Sequence, residues 1–257
     1  MARVLITGSS DGLGLMAGKL LAQKGHRVTL HARSESRAAD ARRALPQAEA
    51  VVIGDAASIT AMRRLADQAN ALGRYDAVIH NVGVGSRAPR VETPDGLSRL
   101  FAVNVLAPYL LTALMLRPGR LVYVSSGMHT SGDAHLDDAQ WSRRRWNGSQ
   151  AYSDSKLFDV MLAFAVARLW PNVKSNAITP GWVATKMGGA GAPDSLALGA
   201  VTQAWLAVSD DPGALVSGRY FYYQKAERTH HAAGRKELQD QLLAYCATLS
   251  GVTLPGD

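Results

Sequence analysis

The stretch TGSSDGLG, residues 7–14, puts three glycines directly behind a short strand-like run, Val4 to Ile6, and ahead of Leu13 to Leu21, which is apolar at helical spacing. A strand that turns sharply into a helix leaves the first helical N–H groups unpaired and the positive end of the helix dipole facing outward. Where no side chain intervenes, a pyrophosphate can approach that backbone directly. The spacing suits Gly8 to the sharp turn, Gly12 to the close approach and Gly14 to the tight contact of helix with strand.

The same alternation continues along the chain. Strand-like runs recur at Arg27 to His31, Ala50 to Ile53, Ala77 to His80, Arg120 to Val124, Lys174 to Ile178 and Tyr220 to Tyr223. Helix-like segments separate most of them: Ser34 to Leu45, Ser58 to Leu72, Leu97 to Leu116, Gln150 to Leu169 and Ser195 to Val208. Strand after helix, with connections long enough for crossovers, predicts an α/β fold with a doubly wound, mainly parallel sheet covered on both faces. Ligands are then expected at the carboxyl ends of the strands. No repeat or linker divides the 257 residues, so one domain over 1–257 is expected.

Composition narrows the partners. The charge of +7 lies in scattered clusters such as Arg42-Arg43 and Arg63-Arg64, without a nucleic-acid reader motif, and so points away from nucleic acid. One cysteine, Cys246, rules out an internal disulfide and fits a reducing compartment. Met1 stands almost directly before the first strand, and no stretch reaches the length of a membrane span, so no signal peptide and a cytoplasmic location are expected.

Two further places carry chemistry. After the second strand, in VTLHARSES, a dinucleotide fold usually has an acid that holds the adenosine ribose. This chain has Arg33, with Arg37 nearby, and a guanidinium pairs with a phosphate that an acid would repel. That favours NADP(H) over NAD(H). Farther on, in AYSDSKLFD, Tyr152 and Lys156 stand four apart and share one helix face. A phenol, with a reference pKa near ~10, needs roughly 4 kcal/mol of preference for its ionised form to act as acid and base near pH ~7. An ammonium about 4 Å away at an effective dielectric of ~20 supplies that order of energy.

At this point the chain resembles the short-chain dehydrogenase/reductase family. The resemblance rests on TGSSDGLG, Asp55 in GDAAS, HNVG at 80–83, Asn104 in FAVNVLAPYLLT, VYVSSG ending at Gly127, YSDSK, and PGWVATKM from Pro180, all in family order. It implies a Rossmann domain with a seven-stranded sheet in the order 3-2-1-4-5-6-7. It implies a catalytic set of Asn104, Ser126, Tyr152 and Lys156, with Ser125 as the fallback serine. Tyr152 would exchange a proton with the substrate oxygen, Ser126 would hydrogen-bond that oxygen, Lys156 would also bind the nicotinamide ribose, and Asn104 would hold a relay water. The implied cofactor-binding residues are Gly8, Ser10, Asp11, Gly12, Leu13, Gly14, Arg33, Asp55, Asn81, Gly83, Tyr152, Lys156, Pro180, Gly181, Val183 and Thr185. Asp55 would meet the adenine edge, Asn81 and Gly83 the adenosine ribose, and Thr185 the carboxamide. No metal is implied.

Three departures from the family pattern stand out. Val82 replaces a small residue between Asn81 and Gly83, and Asp11 stands where NADP-using members often carry a base. Between Ser126 and Tyr152 lie 25 residues, about twice the common gap, as in the retinol dehydrogenase and polyketide ketoreductase branches. That insert, 127–149, is expected to overhang the pocket, with 182–196 as a glycine-rich lid. Met128, Trp141, Trp146, Trp182 and Met187 are candidate lining residues, and Arg143 to Arg145 are expected to face solvent.

The reading that follows is NADP(H)-dependent reduction of a hydrophobic ketone or aldehyde, or the reverse. Its rivals are an NAD-dependent alcohol dehydrogenase and a non-catalytic NADPH-binding sensor or scaffold. A sugar-nucleotide epimerase is disfavoured, because the chain has no room for an added substrate domain. A homodimer or homotetramer through helices 97–116 and 150–169 is one expectation, with the Met161 to Phe164 stretch as interface or core; a monomer is the other.

Overall fold

The computed structural model describes residues 1–85 and 89–256. The short apolar runs form the parallel strands β1 (Arg3–Ile6), β2 (Arg27–Ala32), β3 (Ala50–Ile53), β4 (Ala77–His80), β5 (Arg120–Val124), β6 (Lys174–Thr179) and β7 (Tyr220–Tyr222). Between and after them come the helices α1 (Gly12–Gln23), α2 (Glu35–Ala44), α3 (Ile59–Ala71), α4 (Arg99–Phe101), α5 (Ala107–Leu114), α6 (Gly148–Leu169), α7 (Leu196–Val208) and α8 (Lys236–Ser250).

Strand alternation decides which helix covers which face. Val4 and Ile6 point one way, into a cluster with Ala17 and Leu21 of α1 and Ala200 and Ala204 of α7. Leu5 points the other way and joins Leu65 of α3, Leu110 of α5, and Phe158 and Met161 of α6. Strand β1 pairs in parallel with β2 on one side and with β4 on the other, so the order in which strands are added to the sheet reverses there. The crevice outside the carboxyl ends of β1 and β4 is therefore where a ligand fits.

The sheet has eight strands, not seven, in the order β3-β2-β1-β4-β5-β6-β7-β8. The expected strand ending at Tyr223 stops at Tyr222. Tyr223 and Gln224, at φ +45° and +63°, form a two-residue hairpin turn to β8 (Lys225–Glu227), antiparallel to β7. Such a turn normally carries Asn-Gly or Gly, and here it does not, which hides the hairpin from sequence reading. Strand β8 is short, charged and exposed, which protects the sheet edge from further pairing.

The expected helix over 97–116 is interrupted. Arg99–Phe101 passes into a π-helical turn, Ala102–Leu106, before α5 begins. Pro108 has no N–H to give the carbonyl of Asn104 four residues back, so a regular helix cannot run through this point. The C-terminal helix α8 has no counterpart among the expected elements. Its Leu242 and Cys246 join the core cluster that contains Met161, Leu162 and Ala163. Those three residues are thus core in this chain.

Candidate active site

The glycine turn sits at the crevice mouth. Gly8 and Gly12 adopt φ of +62° and +56°, and the Gly8 N–H donates to His31 Nδ1 at 2.9 Å. His31 in turn donates from Nε2 to the Gly54 carbonyl at 2.8 Å; burial lowers its basicity, so the ring is a neutral brace between β2 and the loop. A Cβ on Gly14 would lie 2.5 Å from Asn81 Nδ2 and 2.7 Å from the Gly8 carbonyl oxygen. At Gly12 a Cβ would meet only Thr185 Cγ2, at 4.0 Å. Gly14 is thus closed in by protein, while Gly12 faces open space. Ser34, Ser58, Asn147 and Ser195 cap α2, α3, α6 and α7, whereas no side chain caps α1. An uncapped helix start beside an open glycine fits the pyrophosphate of a dinucleotide.

The adenosine end is more committed than the sequence suggests. Arg37, not Arg33, is held in a network: it bonds Asp11 at 2.7 Å, Asp40 at 3.0 Å and Ser10 Oγ at 3.2 Å. Asp11 also takes Lys186 at 2.8 Å. Partial burial opposes the Asp11 charge, but Lys186 and Arg37 outweigh it and hold the carboxyl below the usual range. Here an acid at position 11 joins the glycine loop, α2 and the segment after β6. Arg33 is exposed at the carboxyl end of β2, without an ion pair among the described residues. Asp55 is exposed and accepts from the Ala57 N–H at 3.0 Å. Asn81 donates to the Thr7 and Gly8 carbonyls at 2.9 and 3.0 Å, so its amide ties β4 to the glycine loop. Val82 fits by packing against the core and donating its N–H to Thr7 Oγ1.

Strand β5 and helix α6 bring the reactive groups together. Ser125 is buried and donates to the Lys156 carbonyl at 2.7 Å, which occupies its hydroxyl. Ser126 faces the cavity and its Oγ accepts the Met128 N–H at 3.2 Å, leaving its own proton available. Tyr152 also lines the cavity, backed by Leu100, Trp141 and Ala151. The Asn104 side chain is fully engaged: it accepts from the Val84 N–H at 2.8 Å and donates to the Val84 carbonyl and to Ser155 Oγ at 3.1 and 2.9 Å. Lys156 is the surprise. Its Nζ lies 5.9 Å from the Tyr152 ring centre and donates to the Val124 carbonyl at 3.0 Å and to Asp159 Oδ2 at 2.7 Å. The Lys156 and Asp159 side chains are 5% and 4% exposed.

This changes the electrostatics expected from Tyr and Lys alone. The ammonium does not act alone: the Asp159 carboxylate, 2.7 Å from Lys156 Nζ, subtracts from the pull that Lys156 exerts on the Tyr152 phenol. Burial disfavours the Lys156 charge, yet Asp159 and Tyr152 raise its proton affinity above the ordinary value. Burial pushes Asp159 up to about 6 against the pull of Lys156. Asp159 stands three residues after Lys156, one helical turn away, and that spacing was the available signal for it.

Comparison with known proteins agrees with this geometry. Residues 2–195 match the family model for short chain dehydrogenases. The chain belongs to the short-chain dehydrogenase family. An uncharacterized oxidoreductase of Emericella nidulans, AN7799, is 45% identical over 261 residues, covering all of both chains. Human retinol dehydrogenase 14 is 35% identical over 212 residues, covering 72% of this chain and 62% of the relative. A crystal structure of a protein from Mycobacterium paratuberculosis superposes with a TM-score of 0.86 at 26% identity, covering 99% of this chain and 95% of that one.

In this short-chain dehydrogenase the cavity has a volume of about 1130 Å³ and runs from Leu13 past Gly83, Ser126 and Tyr152 to Tyr220. Pro180, Gly181, Val183 and Thr185 also line it. Of the five apolar candidates, Met128, Trp146, Trp182 and Met187 border it, and the first, third and fourth are exposed at 38%, 58% and 44%. Trp141 does not. It is buried behind Tyr152, donates to Asp154 of α6 at 3.1 Å, and carries the Arg144 guanidinium 4.0 Å above its ring.

The insert is a braced wall rather than a loose flap. Buried Asp138 accepts from the N–H groups of Ser142, Arg143 and Arg144 at 2.8, 3.2 and 3.1 Å, and from the Ser142 hydroxyl at 3.0 Å. Burial opposes its charge, but those donors hold its carboxyl far below the ordinary range. Arg144 therefore does not face solvent as expected; it is half-buried between Asp138 and Asp154. Arg143 and Arg145 are exposed. The segment after β6 is likewise self-bonded: Trp182 N–H donates to Asp194 at 2.7 Å, its indole to the Gly188 carbonyl at 3.0 Å, and Lys186 latches it to Asp11. No helix among the described residues is long and apolar enough to cross a membrane.

Proposed function

We propose that the protein is a cytoplasmic NADP(H)-dependent oxidoreductase that reduces a hydrophobic ketone or aldehyde of modest size, or oxidises the corresponding alcohol. The observation that carries this reading is the meeting of Ser126 and Tyr152 on one cavity that reaches Leu13, the residue between Gly12 and Gly14. The cofactor, when bound, supplies or accepts the hydride. Its pyrophosphate would lie over Gly12 and the start of α1, and its ribose within reach of Lys156. Tyr152 gives its proton to the carbonyl oxygen in reduction and takes it back in oxidation. Ser126, with its hydroxyl proton available, orients that oxygen. The Asn104 amide holds the Val84 segment against α6, so the relay role falls to the Asn104 carbonyl, which Pro108 leaves without its helical donor. Met128, Trp146, Trp182 and Met187 exclude water and set a preference for apolar substrates.

Arg33, exposed and without an ion pair among the described residues, supports a 2′-phosphate partner. One observation favours NAD instead: Asp11 already holds Arg37, so the second guanidinium is not free. The deciding assay is NADPH and NADH consumption over a panel of aromatic, alicyclic and polyketide-like carbonyls, with Tyr152→Phe as control. Turnover with NADPH that the control loses while still binding cofactor is the expected result. Activity retained by Tyr152→Phe would remove this tyrosine from the mechanism.

A further inference from the structure

The buried acid beside the lysine calls for a reason. An ion pair in the interior loses hydration that its own attraction only partly returns, so stability alone is a weak explanation for a carboxylate placed there. The Lys156 ammonium has three hydrogens, and Val124 and Asp159 take two of them. Resting on the reading of Tyr152 as proton donor, we infer that Asp159 is a positioning and charge-setting residue. Its carboxylate balances the ammonium beside the phenol and biases the site toward carbonyl reduction, which consumes a phenol proton, over alcohol oxidation, which needs the phenolate.

The balance of the step makes the bias follow. In reduction a hydride from the reduced cofactor adds to the carbonyl carbon, the C=O π pair moves to oxygen, and the phenol proton closes the alcohol, leaving phenolate and oxidised cofactor. In oxidation the phenolate must be present first, to take the hydroxyl proton as hydride leaves. A net positive charge beside the phenol favours phenolate, and a neutral ion pair favours it less.

The other buried titratable groups around the pair do not supply a competing charge. Tyr123 of β5 faces Asp159, and burial raises its phenol well above the ordinary range. His80 of β4, its ring centre 4.7 Å from that of Tyr123 and tilted to it, is pushed down to about 3 by burial. Tyr220 of β7 faces Tyr152 and is raised by burial; His129 of the insert is lowered by it. On the helices packed near this face, burial raises Tyr109 of α5 to about 12 and lifts Cys246 and Tyr245 of α8. All are neutral at pH ~7. Glu227, Arg228 and Lys186 line the same cavity but are exposed and screened by solvent, and Arg99 is half-buried on its wall; Lys156 and Asp159 are thus the buried charges beside the phenol.

The test is the pH dependence of kcat/KM in both directions for wild type, Asp159→Asn, Asp159→Ser and Asp159→Glu. The neutral variants should move the alkaline fall of reduction and the rise of oxidation downward together by about one pH unit, the size of one charge's influence at this range. Asp159→Glu should keep the wild-type midpoints. A purely structural role would lower rates and leave midpoints in place, and midpoints in Asp159→Asn or Asp159→Ser that match wild type overturn the inference. If neither neutral variant folds, the wild-type oxidation profile decides: its midpoint must lie above neutral pH, and one at or below it is refutation. Turnover retained by Tyr152→Phe would instead strike the reading on which the inference rests.

Discussion

Gly12 and Gly14 lie two residues apart, and the structure assigns them opposite sensitivities to the same methyl group. At Gly12 the space is open, with Thr185 Cγ2 at 4.0 Å, so Gly12→Ala bears only the strain of holding φ at +56°, about 1 kcal/mol for an L-residue. In a chain of this size that lowers Tm by about 2–4 °C. At Gly14 the methyl would stand 2.5 Å from Asn81 Nδ2, 2.7 Å from the Gly8 carbonyl oxygen and 2.9 Å from Ser9 Cα, and these neighbours must shift. Overpacking of that kind costs about 3 kcal/mol, of which better helix propensity returns about 1, leaving a loss near 2 kcal/mol and a Tm fall of about 4–8 °C. Cofactor affinity should run the other way in proportion: Gly12→Ala, folded and nearly as stable as wild type, places its methyl where the pyrophosphate approaches and should bind NADPH about tenfold more weakly or worse, some 1.4 kcal/mol. Thermal melts and a fluorescence titration with NADPH measure both quantities on the same samples. Wild-type affinity in Gly12→Ala would show that no phosphate lies over this turn, and a wild-type melt for Gly14→Ala would refute the packing argument.

The charged groups carry their own expected outcomes. Arg33→Ala should weaken NADPH by roughly 30-fold, about 2 kcal/mol, and leave NADH unchanged; Arg37→Ala should cost less, because Arg37 must give up Asp11 to serve a phosphate, and equal losses for both cofactors in an isothermal titration would contradict this. Asp138→Ala should destabilise the insert by about 3 kcal/mol, read from the fluorescence of Trp141 and Trp146 during denaturation, since it strips an acceptor from Ser142, Arg143 and Arg144. Asp138 is held below its unfolded range, so its stabilisation is complete above the unfolded pKa of about 3.9 and fades as pH falls beneath it; the wild-type tryptophan signal should therefore change under acid in a way that Asp138→Ala does not share.

The order of strands and helices was legible because a buried parallel strand is mostly apolar over a short run and the helices that cover it turn an apolar face inward, so period and length declare both. The glycine turn declared itself for a related reason: backbone conformation and close approach are local demands, met within eight residues. Tyr152 and Lys156 could be named from their spacing and Ser126 from the family resemblance alone, and the fold brings Ser126 and Tyr152 to one cavity with Lys156 behind the tyrosine. What the chain did not announce are pairings between distant segments and elements of unusual local chemistry. Strand β8 follows a turn without glycine, and α8 declares itself only by the α6 face it covers. Asp11 looks like an obstacle to phosphate until Arg37, 26 residues on, and Lys186, 175 residues on, are seen to share it. Arg144 looks like surface until Asp138 and Asp154 close around it. Asp159 is visible as a letter three places after the lysine, but only burial gives its charge weight, because a carboxylate in water is screened and one at 4% exposure is not.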